Sequence, residues 1–211
     1  MVREMERSSE HRSTKRRRLT PLRFLARTPL TLPALLLLVT ACGDPGEADP
    51  APPCEQECQD ANALRALRET TKLVFNLTLQ GKPVGSHDET TPCPQGGSAR
   101  VFGEATSNAV QGASELSLTY EFSACHYLSR DDEPDENYDV VIDGTLTQVG
   151  TLAVQPTATT ALVMKSDALS IEGTVYDPPK PYSAAACIIE LGQSGNDLSG
   201  TICGRSAGLK L

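Results

Sequence analysis

The seven cysteines are the residues of this 211-residue chain with the most distinctive chemistry. Six of them follow residue 50: Cys54, Cys58, Cys93, Cys125, Cys187 and Cys203. An even number of cysteines in an exported domain is typical of a disulfide framework. A zinc site needs paired short spacings, and only Cys54-x-x-x-Cys58 comes close, with no second pair. We therefore predict disulfides, with no metal and no cofactor.

The positions of the six cysteines suggest a pairing among the fifteen that are possible. Cys187 and Cys203 are symmetric about Gly195, so a hairpin centred there places them directly opposite each other. Cys93 and Cys125 flank a second predicted hairpin, formed by residues 99–104 and 115–122. Cys54 and Cys58 remain as the third pair, although adjacent helical turns hold such a bond poorly.

The seventh cysteine, Cys42, lies at the end of an apolar stretch in the sequence Val39-Thr40-Ala41-Cys42. These four residues resemble the lipobox of bacterial lipoproteins. The resemblance implies that diacylglycerol is attached to Cys42 through a thioether and that the chain is cleaved between Ala41 and Cys42. Ordinary signal-peptidase cleavage at the same bond is the alternative, because Val39 and Ala41 also suit that enzyme. Several acyl chains, at ~0.8 kcal/mol per buried methylene, hold a protein on a membrane where one chain does not.

Charge divides the chain at the same place. Residues 1–41 have a net charge of +6 and residues 42–211 a net charge of −14. A basic segment followed by a short apolar one is the order of a secretory signal. The acidic remainder would repel phosphate, which argues against a nucleic-acid partner. We predict a signal peptide over 1–41, a lipidated proline-rich tether over 42–53 and one disulfide-bonded β domain over 54–211. At about 3.1 Å per residue, the tether would reach ~30 Å.

Hydrophobic periodicity predicts the elements that position the cysteines. Apolar residues between Cys54 and Thr70 recur at helical spacing, with Glu55, Glu57 and Asp60 at the start and Arg65 and Arg68 near the end to complement the helix dipole. From Leu73 to Leu79 the period becomes two, as it does over 116–122 and 140–146, which is typical of half-buried strands.

A weak repeat of a polar residue, Gly, Thr and an aliphatic residue recurs at Gly144, Gly173 and Gly200, each in an inward position where a strand can bend. We predict a mainly β fold: a curved antiparallel meander of about eight or nine strands, in a sandwich or partly closed barrel, with one short N-terminal helix. The Cys93-Pro-Gln-Gly-Gly opening and the serial Gly-Thr strands are similar to those of Gram-negative envelope lipoproteins, a resemblance that carries no activity to transfer.

Other residues with chemical potential are more simply explained as surface features. His87 lies in a predicted loop between Ser86 and Asp88, but three consecutive residues seldom form a catalytic triad. His126 follows Cys125 at a strand end. The acidic run 131–137 could bind Ca²⁺, but its sixth position is Glu136 instead of the glycine of an EF-hand loop. A solvated hairpin tip is the simpler interpretation.

Three classes of function remain. We favour a non-enzymatic binding or structural module of the cell envelope, lipid-anchored to the outer membrane on its periplasmic or surface face, with a possible envelope protein as partner. The alternative is a carrier of an apolar ligand. A hydrolase with an unrecognised site is the third. The carrier's cavity would be lined by Phe75, Leu77, Leu118, Tyr120 and Phe122.

Overall fold

The computed structural model describes residues 51–108, 113–153 and 160–211. Cys42, Ala41 and the predicted signal peptide lie outside the described residues. The described part contains one helix, eight strands and a single turn of 3₁₀ helix over Pro134–Glu136. The elements are α1 (Gln56–Thr78), β1 (Gly85–Pro92), β2 (Ser98–Asn108), β3 (Ala113–Ser129), β4 (Tyr138–Ala153), β5 (Ala161–Val175), β6 (Lys180–Ser194), β7 (Asp197–Ile202) and β8 (Arg205–Lys210).

The strands form one antiparallel meander in which each strand pairs with the next along the chain, from β1 to β8. Within the described residues β1 and β8 do not pair with each other, so the sheet is open rather than a closed barrel. The predicted mainly β meander with one N-terminal helix is confirmed. A meander needs only hairpin connections, which the turn-rich sequence between the strands supplies.

Helix α1 covers one face of the sheet and contributes five of the buried core residues, most of the others being on the strands. Ala63, Leu64, Leu67 and Val74 of the helix are buried in a single cluster with the inward residues of all strands from β2 to β8. Alternate residues over much of the central strands β4 and β6 are buried, as the period of two requires. The cluster therefore makes the helix and the sheet one structural unit.

The helix is longer than the sequence pattern predicts, and the strand predicted over Leu73–Leu79 is wrong. Val74 and Thr78, taken as the outward residues of a strand, are buried, whereas Leu77 is 58% exposed. Buried Thr70, Thr71 and Thr78 each donate their hydroxyl to the carbonyl oxygen four residues earlier, at 2.6 to 2.8 Å. These bonds satisfy the threonine side chains inside the helix, so the buried stripe continues at helical spacing to its end. Arg65 and Arg68 therefore lie in the middle of the helix and do not complement its C-terminus.

Two matching irregularities interrupt β3 and β6. Ala124 and Ala186 each have φ of +48°, and each directly precedes a disulfide-bonded cysteine, Cys125 or Cys187. The backbone N–H of Ala124 donates to Asp143 Oδ2 at 2.9 Å, and that of Ala186 donates to Ser170 Oγ at 3.0 Å. At each bulge the backbone N–H has no partner in the β-ladder, and a side chain of the neighbouring strand accepts its hydrogen bond instead.

The glycines of the Gly-Thr repeat lie where strands approach closely. A Cβ on Gly173 would be 2.1 Å from the carbonyl oxygen of Asp139, and one on Gly200 would be 2.0 Å from that of Glu190. Both residues have positive φ, at +143° and +154°. Only glycine fits this conformation without a clash, which is the close approach that the repeat predicts.

Candidate functional site

The six cysteines after residue 50 form the three predicted disulfides. Cys93 bonds to Cys125 with a Cα–Cα distance of 5.4 Å, Cys187 to Cys203 with 4.8 Å, and Cys54 to Cys58 with 5.2 Å. The chain-entropy estimate gives stabilisation of ~3.7, ~3 and ~2 kcal/mol respectively, because the enclosed loops shorten in that order. The two sheet disulfides therefore contribute most to the stability of the domain.

The hairpin that carries Cys187 and Cys203 is centred between Gly195 and Asn196, half a residue from the predicted centre at Gly195, since Ser194 pairs with Asp197. Cys203 consequently donates its N–H to Ile188, and not to the residue that bears its sulfur partner. The bulge at Ala186 and the positive φ of Cys203, +53°, bring the two sulfurs together despite this offset. The predicted disulfide is confirmed, and the predicted direct opposition of its residues is wrong.

The third disulfide lies at the start of α1, where several side chains hold the incoming chain. The amide Nδ2 of Asn62 is within 3.8 Å of Cys54 Sγ and 3.5 Å of Cys58 Sγ, and it donates to the carbonyl of Cys58 at 3.1 Å. Gln59 Nε2 donates to the carbonyl of Cys54 at 3.1 Å. The segment is also joined to the sheet, because the hydroxyl of Tyr176 donates to the carbonyl of Pro52 at 2.8 Å.

One turn further along α1, Asp60 forms an ion pair that sequence reasoning missed. Its side chain is 1% exposed. Arg205 of β8 donates to both carboxylate oxygens, at 2.7 and 2.8 Å. The hydroxyl of Tyr182 on β6 and the amide of Gln56 also donate to Asp60 Oδ1, at 2.8 and 3.1 Å. Asp60 thus ties the helix start to two strands.

The charges and hydrogen bonds around Asp60 decide its ionisation. Burial alone would raise the pKa of Asp60, but the hydrogen bonds from Arg205 and Tyr182 outweigh burial and hold that pKa below its usual range. Burial, together with the hydrogen bond to the carboxylate, raises the pKa of Tyr182. At neutral pH the cluster therefore consists of a deprotonated Asp60, a neutral Tyr182 and a charged Arg205. All four donors are occupied by the carboxylate, so this arrangement is structural.

The acidic run lies between β3 and β4, as predicted, and α1 holds it in place. Arg65 donates to Asp135 Oδ2 at 2.8 Å and also to Glu136. The Asn137 amide donates to the carbonyls of Asp131 and Glu133, at 3.0 and 2.8 Å. Within 51–108, 113–153 and 160–211, no group of three or more His, Cys, Asp or Glu side chains is placed to hold a metal ion.

The two histidines occupy different parts of the sheet. His87 lies in strand β1, not in the predicted loop, and it pairs with Gly103. Because successive strand residues point to opposite faces, Ser86 and Asp88 point away from the face that carries His87, and Asp88 binds Arg100 at 2.7 Å. His126 Nε2 is 2.6 Å from Asp139 Oδ1 at the far end of β3.

The register shows that the histidines do not share a site. Gly103, the partner of His87, pairs with Leu118, which lies eight residues before His126 along β3. At about 3.3 Å per residue, the histidines are roughly 25 Å apart along the strand direction. They therefore form no joint catalytic arrangement.

The residues proposed to line a ligand cavity divide into two groups. Leu118, Tyr120 and Phe122 are buried in the core on β3, where the Tyr120 hydroxyl donates to Gln148 Oε1 at 2.8 Å. Phe75 is partly buried on α1, and Leu77 on the same helix faces solvent. The helix itself thus packs against the β3 residues, and Leu77 does not face them.

Apolar strand residues are exposed on the outer face of the sheet, among them Ile188 of β6, at 59%. Val149 of β4 and Val163 of β5 are direct cross-strand partners and are 51% and 47% exposed. Nearby, where both strands bulge, an open groove of about 320 Å³ includes Thr147, Lys165 and Asp167 in its lining. Thr147 and Lys165 are cross-strand partners whose side chains are exposed.

Comparison of the chain with protein-family models, curated proteins and solved structures finds no match in any of the three. In the described part of the chain, α1 is not apolar enough to cross a bilayer, and it is the only helix of such length there. The three disulfides are compatible with an extracytoplasmic location.

Proposed function

We propose that this protein is an envelope lipoprotein, anchored to the outer membrane through lipid on Cys42, whose β domain is a non-enzymatic binding or structural module. The observation that carries the proposal is the complete pairing of the six cysteines after residue 50. Disulfides persist in oxidising compartments, so this pairing supports export. It also leaves Cys42 as the one cysteine without a disulfide role in the domain, consistent with the lipobox that it ends.

The packing of α1 favours a binding module over a carrier. A carrier needs an enclosed apolar cavity of several hundred Å³. In this domain Leu118, Tyr120 and Phe122, which would line such a cavity, are instead buried with helix residues in one core. The Val149–Val163 pair is exposed on the outer face of the sheet, opposite the core, where it is available for contact with a partner.

The same geometry supports a non-enzymatic role. A hydrolase needs titratable groups that converge in a cleft. His87 and His126 lie far apart, and the buried Asp60 carboxylate is fully engaged by Arg205, Tyr182 and Gln56. We therefore assign the domain to binding or structural work in the envelope.

Intact mass spectrometry of the membrane-extracted protein, with and without reductant, tests the proposal. We expect a polypeptide that begins at Cys42 and carries diacylglycerol, and a mass increase after reduction and alkylation that corresponds to six thiols. The Cys42→Ala variant should lose the acyl mass and leave the membrane fraction, with its disulfides unchanged. A mature chain that begins before Cys42, or that carries no acyl chain, would contradict the anchor.

A further inference from the structure

The three disulfides differ in how far solvent reaches them. Cys93 and Cys125 are 7% and 0% exposed, and Cys54 of the third pair is 4% exposed. Cys187 and Cys203 are both partly exposed, so theirs is the one bond of the three in which neither cysteine is buried. An external thiolate must reach a sulfur to open a disulfide, and exposed disulfides are the more easily reduced ones. Access therefore singles out Cys187–Cys203.

The neighbours of Cys187 along β6 leave its sulfur open to approach. Cys187 Sγ is 3.6 Å from the carbonyl oxygen of Ala185, and this contact is exposed to solvent. Ala185 and Ala186 are themselves exposed, and each side chain is a single methyl group. Ile188, on the other side of the cysteine, is 59% exposed and points into solvent. A small thiol therefore meets little steric resistance at this sulfur.

The backbone at this bond is in an unfavourable conformation. Ala186 and Cys203 have φ of +48° and +53°, in the left-handed region that residues other than glycine rarely adopt. The hairpin register places Ile188, and not Cys187, opposite Cys203, so these conformations are what brings the two sulfurs together. Backbone strain that is released when a disulfide opens makes that disulfide easier to reduce. Strain and access thus favour the same bond.

The bond fastens the turn between β7 and β8 to one corner of the sheet. β7 pairs with β6 over residues 189–194, although β6 begins at Lys180. Beyond that ladder, Cys203 is joined to β6 by its N–H bond to Ile188, at 3.0 Å, and by the disulfide. Ile202, just before the turn, is buried in the core and holds the hairpin in place without the disulfide. Opening the bond therefore alters this corner and leaves the sheet intact.

We propose that Cys187–Cys203 is a modification site at which this domain exchanges disulfides with small external thiols. The thiolate of a small thiol attacks Cys187 Sγ, the bond to Cys203 breaks, and Cys203 leaves as a thiolate that takes a proton from water. The product is a mixed disulfide between Cys187 and the small thiol. A second thiolate then attacks the sulfur of the small thiol in that mixed disulfide and releases Cys187. The protein cystine gains two electrons and two protons, and the two small thiols become one disulfide.

The test treats the folded, purified protein with glutathione, quenches the reaction with acid at successive times, alkylates the free thiols and maps each cysteine by peptide mass spectrometry. We expect Cys187 and Cys203 to react before the other four cysteines after residue 50, with the glutathione adduct on Cys187. Far-UV circular dichroism should be unchanged at that stage. The order should be the same in Cys42→Ala, so failure of the lipid anchor would not affect this result. Earlier or simultaneous opening of another disulfide would overturn the proposal.

A matched pair of glycine variants tests the contribution of the backbone. Ala186→Gly removes the cost of the positive φ before Cys187, because glycine adopts this conformation freely. The closed form gains stability, so the equilibrium constant for reducing Cys187–Cys203 with dithiothreitol should fall by about fivefold. Ala124→Gly makes the same change before Cys125, at the same φ of +48°, and should leave that constant unchanged. An unchanged constant in Ala186→Gly, or equal falls in the two variants, would overturn the release of strain at this bond.

Discussion

Removing the charge of Asp60 tests whether the buried ion pair holds the helix to the sheet. In Asp60→Asn the shape of the side chain is kept, but one carboxylate oxygen becomes an NH₂ group that faces the donors of Arg205. Breaking a buried ion pair on one side typically costs about 3–5 kcal/mol. The Arg205 side chain is 40% exposed, so water recovers part of that cost, and we expect a loss of roughly 2–3 kcal/mol.

The assay is urea unfolding with the disulfides intact, followed by far-UV circular dichroism, since the chain has no tryptophan to report by fluorescence. At about 2–4 °C per kcal/mol for a domain of this size, the midpoint of thermal unfolding should fall by roughly 5–10 °C. The midpoint in urea should fall without a change in slope, because the surface exposed on unfolding is unaltered.

Asp88→Asn is the matched control. Asp88 also receives two hydrogen bonds from one arginine, Arg100, both at 2.7 Å, but the pair lies on the outer face of β1 and β2 in solvent. The two carboxylates therefore share a bidentate arginine; they differ in burial and in the additional donors Tyr182 and Gln56 on Asp60. Asp88→Asn should leave the unfolding midpoint almost unchanged. Equal losses in the two variants would refute the argument that burial gives the Asp60 pair its importance.

Three further predictions follow from the same structure. Because the pKa of Asp60 is lowered in the folded state, the contribution of Asp60 to stability is present above the unfolded pKa of about 4 and is lost as pH falls through the folded pKa. The unfolding midpoint of Asp60→Asn should therefore depend less steeply on pH in the acid range than that of the unaltered protein. Parallel curves for the two proteins would contradict this. Leu67→Ala should lower the free energy of unfolding in urea by about 2–5 kcal/mol, because Leu67 is buried in the core. Leu77→Ala should lower it by less than about 0.5 kcal/mol, because Leu77 faces solvent. The opposite order would support a strand over 73–79. Gly173→Ala should lose more than about 2 kcal/mol by thermal unfolding, because its Cβ would meet the Asp139 carbonyl at positive φ, whereas Gly192→Ala, with open space around its Cβ, should be close to neutral.

The sheet could be predicted from the sequence because each strand carries its own local signal. Alternation over 116–122 and 140–146, together with turn residues between the strands, is sufficient for a meander, in which every pairing is between neighbours. The Cys93–Cys125 and Cys187–Cys203 pairs followed from the same reasoning, since hairpin register brings those cysteines close, whereas Cys54–Cys58 followed only as the remaining pair. The half-residue error at Gly195 arose because symmetry about one residue assumes a turn with an odd number of residues, whereas this turn consists of the two residues Gly195 and Asn196.

The end of α1 could not be read from apolar spacing alone. Leu73, Phe75, Leu77 and Leu79 alternate as well as any strand, and the helix prevails because Val74 and Thr78 extend its buried stripe. Threonine counts as polar in such a pattern, yet its hydroxyl is satisfied by the helix backbone. His87 was misplaced for the related reason that a polar edge strand carries no apolar alternation.

Asp60 shows what a local pattern leaves out. It lies four residues before Leu64 and seven before Leu67, on the buried stripe of α1, where an acidic residue demands a partner. The partner of Asp60 is Arg205, 145 residues away in β8. The sequence near the helix does not contain that partner, so it explains Asp60 only as a complement to the helix dipole. β8 follows the last hairpin of the meander, so only the completed sheet brings Arg205 to the helix start. The ion pair therefore links helix α1 to β8, the last strand of the open sheet. Its removal should weaken the packing of the helix on the sheet more than the removal of any single exposed ion pair.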